Sequence, residues 1–123
     1  MTKIVKAPKV LVISLQRLLL NNKKNDAVVY LNEEITIKDY IDHNGVCSIY
    51  DTQIYDLHSV INHKGTLDYG HYFSDICVKV NNPQYNNNLS DVWMQFDDSR
   101  VSSMGKFINK YSSEAYSLFY IKR

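Results

Sequence analysis

Two side chains in this sequence, His71 and Asp97, could together do acid–base chemistry. The spacing predicts one β-hairpin in which His71 begins the outgoing strand and Asp97 ends the returning strand, so antiparallel pairing would bring both ends together. A carboxylate beside an imidazole fixes the tautomer of the ring and stabilises its protonated form, as a general base requires. A second acid, Asp98, follows directly and could share that role. The pair would supply two members of a nucleophile–base–acid triad.

The same pair has a plainer interpretation, because a histidine beside a carboxylate is more often a structural or surface pair than a catalytic one. The glycines that precede His71 favour catalysis. Gly65 and Gly70 bracket a predicted loop, and glycines there would let another backbone approach closely. Spacing alone leaves both interpretations open.

The two cysteines, Cys47 and Cys77, are poor candidates for the missing nucleophile. A reactive thiol usually lies at a helix N-terminus or beside a cation. Cys47 follows a turn and enters a predicted strand, and Cys77 lies six residues beyond His71 on one strand, too far to touch it. No CxxC pair is present, so the sequence predicts no metal site and no cofactor. Free thiols in a reducing compartment are favoured over a disulfide.

Length and composition predict one compact domain with a modest core. In the 123 residues, 14 basic side chains nearly balance 13 acidic ones, which argues against a nucleic-acid or membrane-surface partner. No apolar run is long enough to span a bilayer, because Ser14, Gln16 and Arg17 interrupt the best candidate. The N-terminus lacks a secretory pattern.

The hydrophobic periodicity predicts a mainly antiparallel sheet with one or two short helices, an α+β fold. Asn44-Gly45 predicts a tight turn, and the Asn-rich composition of residues 81–91 predicts a loop. The one predicted helix runs over Ser102–Tyr111, where apolar side chains recur on one face. The predicted strands are Val10–Leu15, Val28–Leu31, Glu34–Ile37, Ser48–Ile61, His71–Val80, Val92–Phe96 and Ala115–Ile121.

Several segments resemble, in the same order, the motifs of one enzyme family, the ubiquitin-specific proteases. Ala7–Arg17 resembles the family's Pro-x-x-Leu-x-x-x-Leu-x-Arg strand, and Tyr55–Gly65 resembles the strand and turn before its histidine box. Tyr69–Tyr72 resembles the box itself, and Trp93–Val101 with Glu114–Tyr120 resembles the closing segments. Each motif is weak alone, but the ordered set covers nearly the whole chain.

The resemblance implies that residues 1–123 are the C-terminal portion of the catalytic domain of a cysteine deubiquitinase, with part of a papain-like protease fold. His71 would be the general base, Asp97 the acid that orients it, and Asp98 an adjacent alternative. The half of the domain that carries the nucleophilic cysteine is absent, so we expect the chain alone to be inactive. The implied partners are that half and ubiquitin or ubiquitinated proteins, and the implied location is the cytoplasm or nucleus.

The resemblance also implies a substrate channel. Gly70 and Tyr72 fall where the family lines the narrow channel for the Gly-Gly tail of ubiquitin, and Tyr69 belongs to the loop that gates it. Tyrosine and glycine suit such a channel, because only a glycine tail is thin enough to pass between a ring face and a backbone. His63 lies just before the loop, where a contact with the tail and a structural role both remain open, the structural role being favoured.

Two other functions remain open. The chain could be a non-catalytic module that binds ubiquitin or another protein, which the missing nucleophile favours and the retention of His71 and Asp97 opposes. It could also be a β-rich interaction domain that only mimics these motifs. If the chain is part of a larger domain, we expect a sheet face or edge to be uncovered, which favours association.

Overall fold

The computed structural model describes residues 4–82 and 88–123, which form nine β-strands and one short 3-10 turn. Within those ranges, no helix is long and apolar enough to cross a membrane. In chain order the elements are β1 (Val10–Ser14), the 3-10 turn (Leu20–Asn22), β2 (Val29–Tyr30), β3 (Glu34–His43), β4 (Val46–Lys64), β5 (His71–Asn82), β6 (Asn88–Asp97), β7 (Arg100–Gly105), β8 (Tyr111–Ser112) and β9 (Ala115–Lys122).

Seven strands form one antiparallel sheet in the order β1-β9-β4-β5-β6-β7, with β3 beside β4. The long strand β4 pairs with β3 along its first half, with β9 in its middle and with β5 at its end. Strands β2 and β8 form a separate pair. The turn predicted at Asn44-Gly45 is confirmed, and Gly45 has φ 80°, where a side chain would be strained. The prediction of a mainly antiparallel sheet is confirmed.

The core lies on one face of this sheet. Alternate side chains of β4, β6 and β9 face inward, and the segments around β2 and β8 cover them. Phe107, between β7 and β8, packs on Trp93 of β6 with the ring centroids 4.5 Å apart. This packing holds β6 and its neighbours in place. The buried apolar residues are Ala7, Leu31, Tyr55, Leu57, Val60, Trp93, Phe107, Ala115, Leu118 and Tyr120.

The helix predicted over Ser102–Tyr111 is wrong. The first part of this segment belongs to β7, which pairs with β6 across a tight turn, and the rest is irregular up to β8. Gly105 ends β7 at φ 71°, a left-handed conformation. Ile108 and Tyr111, both from the expected apolar face, are 66% and 75% exposed. Pairing with a neighbouring strand outweighed the helical spacing of a few apolar residues.

The Asn-rich loop predicted over residues 81–91 is shorter than expected. Strands β5 and β6 continue into this range from both sides, and residues 83–87 lie outside the described part of the chain. Near the ends of the two strands, the Lys79 ammonium lies 2.9 Å from a carboxylate oxygen of Asp91. Such opposite-charge pairs across a ladder stabilise paired strands. They explain why the strands extend into residues whose composition alone predicts a loop.

Strand β1 pairs only with β9 among the described residues, so it forms one edge of the large sheet. The side chains of Val10 and Val12 on it are 52% and 50% exposed. An exposed apolar edge strand offers unpaired backbone groups and apolar surface to another chain. Association of the isolated chain therefore stays a prediction.

Candidate active site

The ends of two neighbouring strands bring His71 and Asp97 into contact. β5 begins at His71 and β6 ends at Asp97, and the two strands are antiparallel partners. The Nε2 atom of His71 lies 2.5 Å from Oδ1 of Asp97. The side-by-side placement predicted from the hairpin spacing is therefore present.

This contact fixes the working state of the imidazole. An ionised carboxylate only accepts hydrogen bonds, so Nε2 carries the proton and donates it to Asp97. Nδ1 is then the free basic nitrogen, and it has no hydrogen-bond partner among the described residues. The His71 side chain is 39% exposed. A proton donor can therefore reach Nδ1 from outside the chain.

Asp97 is held in its charged form. The hydrogen bond from His71 lowers the pKa of this carboxyl below its ordinary value, and the positive charges of Lys64 and Arg100 act in the same direction. Lys64 is also the cross-strand partner of His71 on β4. The carboxylate therefore remains available at neutral pH to orient the imidazole.

Asp98 lies beside the pair but does not make the contact. Asp97 is paired with Arg100, so Asp98 is the first residue of a two-residue turn, with φ 53°. Aspartate is one of the few residues other than glycine that adopts this conformation readily. Its exposed carboxylate and the polar atoms of His71 and Asp97 all lie within 4.8 Å of one another. Asp98 is thus within reach of the imidazole, while Asp97 holds the hydrogen bond.

Glycine is the only residue type that fits at position 70. A Cβ atom there would lie 1.9 Å from Nε2 of His63 and 2.6 Å from the carbonyl oxygen of Thr66. Both distances are far below van der Waals contact. The loop between Gly65 and Gly70 can therefore close onto β4 only because Gly70 has no side chain.

His63 lies beneath this loop and is 5% exposed. Its ring contacts the Tyr72 ring at 4.7 Å between centroids, and its carbonyl oxygen accepts a hydrogen bond from Lys24 Nζ at 2.7 Å. Burial lowers the pKa of the imidazole, and the Lys24 charge lowers it further. In this structure His63 packs as a neutral ring against Gly70 and Tyr72.

The tyrosines around the loop are open to solvent. Tyr69 is 91% exposed and Tyr72 is 58% exposed. Tyr116, at the start of β9, meets Tyr72 edge to face at 6.2 Å between ring centroids. The sequence interpretation did not include Tyr116, and because β9 has a bulge at this residue, alternation along the strand does not reveal which face its side chain takes. Aromatic surface thus borders the loop next to His71.

A comparison with protein families now identifies the chain. Residues 1–120 match the sequence model of the family described as ubiquitin carboxyl-terminal hydrolase. The chain belongs to this family. Two relatives from Saccharomyces cerevisiae, ubiquitin carboxyl-terminal hydrolases 8 and 7, are 34% and 35% identical over 96% and 94% of the chain.

A solved structure has the same fold. The SAGA Ubp8/Sgf11/Sus1/Sgf73 module bound to ubiquitin aldehyde matches 98% of the chain with a TM-score of 0.73 and 31% identity. The chain covers 26% of the chain matched there, and 25% and 10% of the lengths of hydrolases 8 and 7. It therefore spans between a tenth and about a quarter of the length of these relatives.

Neither cysteine of this hydrolase-family chain can reach His71. Cys77 lies on β5 about 20 Å from His71 at the rise of a strand. Burial and then the charge of Asp91 raise the pKa of its thiol, which disfavours the thiolate. Cys47 pairs near the start of β4, whereas His71 pairs with Lys64 at its end, about 50 Å of extended chain away.

A buried arginine in this hydrolase-family chain was recognised in the sequence only as part of a motif. Arg17 is 4% exposed, and within the described residues its guanidinium donates to four backbone carbonyl oxygens. Two of these bonds hold the segment before β2, and two hold the last residue of β8 and the first residue of β9, directly before Tyr116. Arg17 thereby connects the chain after β1 to both of these segments. The acceptors belong to Asn25, Ala27, Ser112 and Ala115.

Proposed function

We propose that this chain is the base-bearing, C-terminal portion of the catalytic domain of a ubiquitin-specific cysteine protease. The complete enzyme would cleave the isopeptide bond after the C-terminal glycine of ubiquitin. One observation carries the proposal: Asp97 engages Nε2 of His71 and leaves Nδ1 free on a half-exposed ring. A thiol supplied from outside the chain would meet a base that is already oriented.

The chemistry follows from that geometry. Nδ1 of His71 takes the proton of the cysteine thiol, and the thiolate attacks the carbonyl carbon of the ubiquitin terminus. The protonated imidazole then gives its proton to the departing lysine amine, and a water molecule hydrolyses the thioester with His71 again as base. Asp97 stabilises the imidazolium in both halves, and Asp98 can replace it in part.

The substrate tail would pass beside the loop that precedes His71. Tyr69 and Tyr72 offer exposed ring faces, Tyr116 widens the same aromatic surface, and Gly70 lets the loop backbone pack closely against His63 beneath them. His63 would support the channel from beneath rather than touch the tail, since it is buried. Two of the related structures, bound to ubiquitin aldehyde and to monoubiquitin, support ubiquitin as the ligand.

The nucleophile would come from the Cys-box half of the same enzyme. That half is the required partner of residues 1–123, and the chain alone would be inactive. A reducing compartment, the cytoplasm or nucleus, suits a thiol enzyme. The near balance of charge supports neither a nucleic-acid nor a membrane partner.

The decisive experiment uses ubiquitin that carries a thiol-reactive electrophile at its C-terminus. The complete enzyme should form a covalent adduct at a cysteine outside this chain, and the isolated chain should form none. An adduct at Cys47 or Cys77 would overturn the proposal that the nucleophilic cysteine lies outside this chain. So would labelling of the complete enzyme that is unaffected by His71→Ala.

A non-catalytic ubiquitin-binding module is the second candidate. The exposed Tyr69 and Tyr72 favour it, because the tail-binding surface would lie on this chain while the nucleophile does not. Titration of the isolated chain with ubiquitin tests it, with Tyr72→Ala as the matched variant. Binding that depends on Tyr72, in a complete protein that forms no adduct, would favour this function.

A further inference from the structure

Asp75, in the middle of β5, is a fully buried carboxylate that the proposed chemistry does not use. It is 0% exposed, and no lysine, arginine or histidine among the described residues bonds to it. Three side-chain amides donate to it instead, each at 3.1 Å: Asn62 and Asn109 to Oδ2, and Gln95 to Oδ1.

These donors come from three different elements around Asp75. Asn62 belongs to β4 and Gln95 to β6, the two strands that flank β5. Asn109 belongs to the irregular segment between β7 and β8 that covers this face of the sheet. The carboxylate therefore ties three central strands and their cover together at one point.

The network lies one step inward from the candidate active site. Side chains two residues apart on a strand share a face. Gln95 is two residues before Asp97 on β6, and Asn62 is two residues before Lys64 on β4, which pairs with His71. The three amides and Asp97 also line one polar cavity of about 280 Å³. Each flanking donor is thus the inward neighbour of a residue that borders His71.

A buried charge without a cation is expensive, and an apolar residue would usually stabilise this position as well or better. Buried polar networks whose members are satisfied restrict strands to one arrangement, because any other arrangement leaves donors and acceptors unpaired. An aspartate here therefore has a use that an apolar residue lacks, namely fixing how the three strands lie relative to one another.

We propose that Asp75 is a positioning residue for the His71–Asp97 pair. By holding Gln95 on one side and Asn62 on the other, its carboxylate fixes the ends of β5 and β6 at the spacing that lets Nε2 meet Oδ1. Asn109 secures the covering segment in the same way. The effect of Asp75 on the His71–Asp97 contact does not depend on which reaction the protein catalyses. Its effect on turnover rests on the proposed function.

The experiment measures the shared proton directly. The proton on Nε2 of His71, bonded to a carboxylate, should give a low-field resonance in the NMR spectrum of the 123-residue chain, assigned by its loss in Asp97→Ala. Asp75→Leu removes the carboxylate at similar volume, and Asp75→Asn removes the charge and replaces one of the two acceptor oxygens with a donor. Val60→Ala is the matched control, because Val60 is the fully buried cross-strand partner of Asp75 but makes none of the three hydrogen bonds to its carboxylate.

We expect the low-field resonance to disappear in Asp75→Leu and to weaken or shift in Asp75→Asn, while Val60→Ala keeps it at comparable loss of stability. If Asp75→Leu fails to fold, the comparison of Asp75→Asn with Val60→Ala decides. Retention of the resonance in the Asp75 variants would assign Asp75 a merely structural role and leave the proposed function intact. Absence of the resonance in the unsubstituted chain would remove the pair itself and both proposals with it.

Discussion

Two regions of the β5–β6 hairpin carry different reactive groups in different environments. At its open end His71 is 39% exposed and bonded to Asp97, which is charged. In the middle of β5 the thiol of Cys77 is partly buried, and burial and then the charge of Asp91 raise its pKa. A carboxylate stabilises an imidazolium but opposes a thiolate. A carboxylate thus favours proton transfer at His71 and, together with burial, disfavours the thiolate at Cys77.

The largest effect should come from removing the base. In the complete enzyme His71→Ala should lower turnover by on the order of a thousandfold or more, because the variant lacks the base proposed to take the thiol proton. His58→Ala is the matched control, since His58 lines a different cavity, the one that contains Cys77. Steady-state hydrolysis of a ubiquitin substrate measures both. A loss of only a few fold in His71→Ala would defeat the assignment of the base.

Removing the orienting acid should cost less. We expect Asp97→Ala to lower turnover by on the order of a hundredfold, because Asp98 is close enough to replace part of the lost interaction. Asp98→Ala alone should have a small effect, and the double variant should approach the loss seen for His71→Ala. The double-mutant cycle measures this coupling. Strictly additive losses would show that Asp98 gives no compensation.

The contact between His71 and Asp97 could be predicted from sequence because its causes are local. Turn residues and alternation locate the strands around His71 and Asp97, and antiparallel pairing then places their ends together. The tie between Arg17 and the start of β9, and the meeting of Tyr72 with Tyr116, depend on pairings between distant segments. The helix predicted from Ser102 failed for a different reason, since the adjacent strand β6 offered that segment, across a two-residue turn, a partner that periodicity does not reveal.

Gly70→Ala should destabilise the chain by about 1–3 kcal/mol, as overpacking does, and should displace the loop before His71. The added Cβ overlaps the His63 ring. Gly45→Ala provides the comparison, because that site has open space but a positive φ, which costs about 1–2 kcal/mol. Chemical denaturation of the two variants separates them. Equal stability of Gly70→Ala and the unsubstituted chain would show that His63 can move aside.

The stability of the chain should fall on mild acidification because of His63. Its pKa is lowered in the folded state, so the unfolded chain binds the proton more readily. Stability is therefore complete above the unfolded value of about 6.5 and is lost as the pH falls below it towards the folded value. Asp97, whose pKa is also lowered, contributes stability that is present above its unfolded value of about 4 and is lost only as the pH falls below it. Denaturation at pH 7.5 and 5.5 should show a difference that His63→Gln reduces.

The smallest effect should come from replacing the thiol of Cys77, in the middle of β5. Cys77→Ser should change turnover of the complete enzyme by less than about twofold, because the thiol lies about 20 Å from His71. Its alkylation in the folded chain should also be slower at pH 7.5 than that of an unfolded peptide, since its pKa is raised and less thiolate is present. Rapid alkylation would mean that burial and Asp91 do not suppress the reactivity of the Cys77 thiol. The difference between Cys77 and His71 would then lie only in orientation, because the imidazole is held by a carboxylate and the thiol is not.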